Sequence, residues 1–244
     1  MKRIVQIAFL FLVFIFSTCQ KDEPLIQIDE KPSDFLSAEK YDKLIIEVKY
    51  IDGYKPNEAA IDNALAFLNA RLNKPEGISF IYGSLPVNAN NTYSADDIRS
   101  IEDEHRTQFT KDNTVTMFIF YADKEFNQNT DNNKTLGIAY GPSSMAIFKS
   151  TVDDYSGGLG QPSTEKLETV ILKHEFGHLL GLVNNGTPMT QDHEDPNHAG
   201  HCDNEDCLMY YTAETNNVLN NIGGGGTIEL DNQCIDDLKA NGGK

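Results

Sequence analysis

What the sequence has least of is positive charge. Its 244 residues hold 20 lysines and arginines against 37 aspartates and glutamates, a formal charge of −17. That balance excludes a nucleic-acid partner or an anionic membrane surface, because phosphate contacts are made by clustered cations. Long apolar runs are also missing. Ile4 to Phe16 is nearly unbroken but too short to cross a bilayer as a stable helix. Cysteine is scarce, with four in the chain, and no internal repeat is visible.

Met1-Lys2-Arg3 supplies a basic start to the apolar run, and residues 1–18 read as a secretion signal. Its removal takes Lys2 and Arg3 with it, so −17 becomes −19. The run ends in Phe16-Ser17-Thr18-Cys19, which resembles the lipobox of bacterial lipoproteins. The resemblance implies acylation of Cys19 as the mature N-terminus; the alternative is an ordinary cleaved signal with Cys19 a bystander. Gln20-Lys21-Asp22-Glu23 is similar to the lysine-plus-acid tag that sends lipoproteins to the outer face in some Gram-negative bacteria. The expectation is a surface-exposed outer-membrane lipoprotein that meets the membrane through its lipid anchor alone. Residues 19–41, charged and broken by Pro24 and Pro32, read as a tether.

Residues 42–244, about 200 in number, suit one domain with a real core. Leu44 to Tyr50 reads as a strand, and Ala60, Ile61, Ala64, Leu65, Leu68 and Leu72 then recur at helical spacing. A second strand spans Ile78 to Tyr82, and Ser94 caps a further helix. Thr114 to Tyr121 is the most apolar strand, expected at the centre of the sheet; Leu136 to Tyr140 and Met145 to Phe148 are two short ones. A last short helix covers about Leu230 to Ala240. The fold class is α/β (α+β), a mixed, largely parallel sheet with helices. Residues 42–183 form an N-terminal part and 184–244 a small irregular C-terminal part.

Pro162-Ser163-Thr164 starts the helix that carries the chemistry, with Leu167, Val170, Ile171, His174 and His178 on one face. In His174-Glu175-Phe176-Gly177-His178 the histidines are four apart, so both imidazoles project from the same face and can share one tetrahedral ion. Glu175 lies beside them, placed to reach a water rather than the ion. Zinc in such a site polarises a scissile carbonyl and lowers the pKa of water to roughly 7, while the carboxylate moves the proton to the leaving amine. Two histidines filling a core face is the bland alternative.

With Gly181 added, these residues resemble the metzincin peptidases, whose signature runs His-Glu-x-x-His-x-x-Gly-x-x-His and later reaches a methionine turn. The third histidine's place is taken by Asn184. His201-Cys202, four residues, then Cys207-Leu208-Met209 is similar to the segment that follows the glycine in archaemetzincins, displaced by 17 residues from 184 to 201. The resemblance implies a loop, Val183 to Gly200, inserted before the third zinc ligand. That ligand is expected to be His201, with His193 and His198 as alternatives, and Met209 to form the floor. Tyr211 stands where some other metzincins have a tyrosine near the metal, or is a packed aromatic. The last strand before the helix, Gly137 to Tyr140 or Met145 to Phe148, would then pair with an extended peptide substrate.

Archaemetzincins complete a second zinc site with a Cys-x-x-Cys pair, where this chain has only Cys234, flanked by Asp231 and Asp237. Cys202, Cys207 and Cys234 therefore either hold a structural zinc with an aspartate or form one disulfide and one free thiol. Asp131 to Asn133 and Asp203 to Asp206 read as solvated loops rather than calcium sites. The function implied is a zinc-dependent endopeptidase acting on a peptide or protein, with Glu175 as general base. The alternatives are a surface protein that holds zinc and binds without cleaving, and hydrolysis of a non-peptide amide.

Overall fold

The computed structural model describes residues 30–222 and 228–244. The signal segment 1–18, the lipidation site Cys19 and the tether as far as residue 29 lie outside the described residues. The order of elements is α1 (Pro32–Leu36), β1 (Lys43–Ile51), α2 (Glu58–Arg71), β2 (Gly77–Leu85), α3 (Ala95–His105), β3 (Thr114–Tyr121), β4 (Gly137–Ala139), β5 (Ser144–Ile147), α4 (Lys149–Asp154), α5 (Thr164–Leu179), two 3-10 turns (Tyr211–Glu214 and Asn216–Val218), α6 (Leu219–Ile222) and α7 (Asn232–Ala240). Among the described residues, no helix is long and apolar enough to cross a membrane.

One mixed sheet has the order β2-β1-β3-β5-β4. Its first four strands are parallel, and β4 runs antiparallel to β5 at the edge. Strand alternation divides the apolar residues between two faces. Val115, Met117, Ile119 and Tyr121 of β3 face one core with Leu44, Ile46 and Val48 of β1, Met145 and Ile147 of β5, and helices α2 and α5. Phe118 and Phe120 face the other with Ile98 of α3, Tyr93 and Phe148. The mixed α/β class read from the sequence is the class observed, with β3 central as expected from its apolarity.

Two features differ from the sequence reading. Helix α4 follows β5 directly and was not expected, because Lys149-Ser150-Thr151 carries no apolar period. The stretch read as tether is folded from Pro32 onward, with Phe35 and Leu36 fully buried and Tyr41 nearly so. Its anchor is the buried Lys74, whose ammonium donates to the carbonyls of Asp34 at 2.8 Å, Ser37 at 2.5 Å and Tyr41 at 2.6 Å. Charge and proline in the sequence concealed two large apolar side chains that the core takes up.

Candidate metal centre

Helix α5 starts where Ser163 accepts a hydrogen bond from the Lys166 N–H, and it is buried on nearly every side rather than on one face. The sheet, α2, α4 and the turn Tyr211–Glu214 all contact it. Two glycines decide how close they come. A Cβ on Gly177 would stand 2.2 Å from Met209 Sδ, so only glycine lets the methionine lie against the helix between the two histidines. A Cβ on Gly137 of β4 would stand 2.8 Å from Glu175 Oε1 and 2.7 Å from Ile171 Cγ2. The edge strand therefore rests directly on the HExxH segment.

At its end the helix closes in a Schellman turn, with Gly181 N–H donating to the His178 carbonyl and Leu182 N–H to that of Gly177. Gly181 takes φ +77, as this turn requires. Val183 and Asn184 then also adopt left-handed conformations, φ 52 and 61. For a β-branched valine that is a strained state. It turns the chain away from the helix, and Asn184 faces Glu194 (Nδ2 to Oε2, 3.0 Å) instead of the histidines.

The inserted segment returns as a hairpin. His193–Asp195 and His201–Asp203 run antiparallel, joined by Asp195 N–H to His201 O at 2.7 Å and Asp203 N–H to His193 O at 2.9 Å. Glu194 Oε1 accepts the Gly200 N–H at 2.8 Å, so the residue that holds Asn184 also holds the approach to His201. Successive side chains in extended backbone point to opposite sides. His201 thus faces α5 while Cys202 faces the other cysteines.

His174, His178 and His201 meet, with ring centroids 4.7 Å, 5.4 Å and 4.9 Å apart in the pairs 174–178, 174–201 and 178–201. One ligand atom from each, and one from Glu214, lie within 4.8 Å of one another. The Nδ1–H groups of His174 and His201 donate to the carbonyls of Leu208 (2.8 Å) and Ala199 (3.2 Å). A carbonyl only accepts, so each Nε2 keeps its lone pair for a cation. Burial, with the neighbouring imidazoles, pushes His174 and His178 down to about 3, which keeps both rings neutral.

Three buried polar atoms here find no hydrogen-bond partner among the described residues: both Glu175 oxygens and His201 Nε2. Burial, then the Glu214 charge, pushes the Glu175 carboxyl well above its usual range. A cation between the imidazoles would draw the Glu175 carboxyl back down. Neutral imidazoles and a bare carboxylate are the donor set of a zinc site with a base beside it, so these residues fit that ion.

His193 and His198 lie elsewhere. The His198 ring stacks face to face on Tyr211, centroids 3.5 Å apart, and its Nδ1 bonds Asp195 at 2.7 Å. His193 is buried in a second cluster with Cys202, Asp231 and Cys234, whose ligand atoms lie within 4.8 Å of one another. Cys207 Sγ is 3.7 Å from Cys234 Sγ, and the three cysteines are free. Hydrogen bonds with the Cys202 and Cys234 thiols lower the Cys207 thiol from its usual range, helped by the Asp231 and Met209 N–H groups, each 3.4 Å from its sulfur.

Of the two aspartates flanking Cys234, Asp231 shares this cluster and Asp237 does not. Asp231 caps α7 through the Cys234 N–H at 2.9 Å and accepts from Asn204 at 3.1 Å. Asp237 accepts from Thr190 and, at 2.8 Å, meets His193 Nε2. That bond leaves His193 Nδ1, 3.4 Å from Cys202 Sγ, free to complete the cluster. Sequence reasoning missed His193 in this role and Glu214 in the first cluster, because neither spacing belongs to a pattern.

Beside His178 a cleft of about 470 Å³ opens, lined also by Ala139, Tyr140, Pro142 and Asn185. It begins where the edge strand β4 ends, whereas β5 is interior.

The fold matches that of archaemetzincin. The chain is similar to the crystal structure of archaemetzincin from Methanopyrus kandleri, with a TM-score of 0.53 over 83% of this chain and 96% of that one. Identity is 16%, so the likeness establishes the fold. No protein-family model matches the sequence, and neither does any curated protein.

Proposed function

We propose that the chain is a zinc-dependent endopeptidase, held at the cell envelope by a lipid on Cys19 and displayed at the surface. The observation that supports this best is the convergence of His174, His178 and His201 beside a buried Glu175 whose two oxygens have no hydrogen-bond partner among the described residues. Those three imidazoles would hold the ion, with Met209 packed beneath. Zinc bound there supplies a Lewis acid for a peptide carbonyl and makes water nucleophilic near neutral pH. Glu175 is aimed to take the proton of that water and pass it to the leaving nitrogen. Gly137 keeps β4 against Glu175, and an extended peptide adding to that edge strand would lay its main chain across the histidines. Cys202, Cys234, His193 and Asp231 would hold a second, structural zinc, with His193 oriented by Asp237.

Glu175→Gln, assayed on a quenched peptide library, should lower cleavage by about 10²–10⁴-fold with zinc content unchanged. A zinc-loaded wild type that cleaves nothing, or a variant equal to an active wild type, would reject the reading. Fatty-acid labelling of the full chain should disappear in Cys19→Ala; labelling that persists would remove the anchor.

The alternative of a surface protein that holds zinc without cleaving draws on Glu214, which could close the ligand set.

A further inference from the structure

Resting on the peptidase reading, we propose that Glu214 is a fourth, displaceable ligand of the same ion, one that closes the site until substrate takes its place. A hydrolytic zinc needs an open position, while a closed four-ligand site needs no base. This molecule carries both a closing carboxylate and a bare base, and the two are reconciled if one of the ligands can leave.

The geometry singles out Glu214. Its Oε2 lies 3.7 Å from His201 Nε2, too far for a hydrogen bond, and that nitrogen is buried without any other partner among the described residues. Two ligand atoms on a tetrahedral zinc, with bonds of about 2.0–2.1 Å, stand roughly 3.3 Å apart. The His174 and His178 Nε2 atoms, 3.1 Å apart, bracket that value from the other side. Glu175 does not share the cluster, so the two carboxylates have separate roles.

The setting of Glu214 also suits a ligand that leaves. Its side chain is 31% exposed, whereas that of His201 is 12% exposed and His174 is fully buried. It ends a four-residue 3-10 turn rather than lying inside a long helix. Its carbonyl accepts the Leu136 N–H at 2.8 Å, one residue before β4, and Thr215 bridges Thr135. The turn that carries the carboxylate is thus tied to the foot of the strand on which a peptide would dock.

Glu214→Gln keeps the shape and weakens the ligand. Against a competing chelator, zinc affinity of the histidine site should fall tenfold or more, and the visible bands of the cobalt-substituted protein should change. Cleavage by the zinc-saturated variant should rise. Unchanged affinity and cobalt bands would overturn the proposal, and so would weakened binding combined with slower cleavage at saturating zinc, since the ligand would then be permanent. Should Glu214→Gln fail to reach the melting temperature of the metal-free wild type, Glu214→Asp substitutes, with an expected affinity between the two. If the affinity and spectrum change but no form cleaves peptide, Glu214 is still a ligand and the peptidase reading alone falls.

Discussion

The two parts of the molecule treat buried polarity in opposite ways. In the sheet-bearing part, residues 30–183, buried charges away from the HExxH segment are met by protein groups. Lys74 is ringed by three carbonyls, and Glu168 on α5 takes the Asn57 N–H at 2.8 Å and the Tyr121 hydroxyl at 3.1 Å on one oxygen, while its other oxygen makes no hydrogen bond among the described residues and has the Lys149 ammonium 3.7 Å away. Glu175 sits two turns further along the same helix, and neither of its oxygens has a hydrogen-bond partner among the described residues. In residues 184–244, sulfur, imidazole and carboxylate atoms instead crowd around two points, the first of them shared with His174 and His178 of helix α5. Two equally buried glutamates on one helix therefore have different uses. The difference between them is what the surrounding chain leaves unsatisfied.

The largest test of this contrast is to remove a sulfur. Cys234→Ser should open residues 184–244 while the sheet stays closed. The expected loss is of order 5 kcal/mol, below the roughly 10–16 kcal/mol of zinc-finger peptides, because this segment also buries Leu208, Met209 and Leu238. Hydrogen exchange resolved along the sequence would read it, as would the same measurement on the wild type with a chelator. Protection lost evenly over both parts would break the contrast.

How far the sequence revealed each part follows the same division. In the first part apolar periodicity carries the structure: Thr114–Tyr121 was bounded from sequence as observed, and Ser94 and Ser163 cap the helices they were expected to start. Those signals are local. The pairing of His193 with the cysteines depends on a hairpin closed by Glu194, Gly200 and Asp237, contacts up to 44 positions apart that no spacing encodes. Asn184 could be seen to interrupt the signature, yet its left-handed φ and its bond to Glu194 could not. The buried Phe35 and Leu36 were hidden for another reason, since two apolar residues among charges are indistinguishable from a tether until Lys74 is seen to hold them.

A smaller effect sharpens the contrast from the other side. Glu47 is 1% exposed in the middle of β1, and its carboxylate accepts the Thr107 N–H, the Thr107 hydroxyl and the Gln108 N–H, each at 2.8 Å, with Lys49 at 3.1 Å. Burial alone would raise its pKa, but these donors and Lys49 outweigh it and hold the carboxyl below the ordinary value of 4.5. A carboxyl depressed by folding contributes stability that is fully present above its unfolded pKa and is lost as pH falls through the lower folded one. Glu47→Gln should therefore cost about 2 kcal/mol at pH 7, and the cost should fade below about pH 4. Urea unfolding across that range, with chelator present in every sample, isolates the part that needs no ion. A cost that persists in acid would mean that the glutamate acts through shape rather than charge, and a cost that appears only when metal is bound would place it in the other part's network.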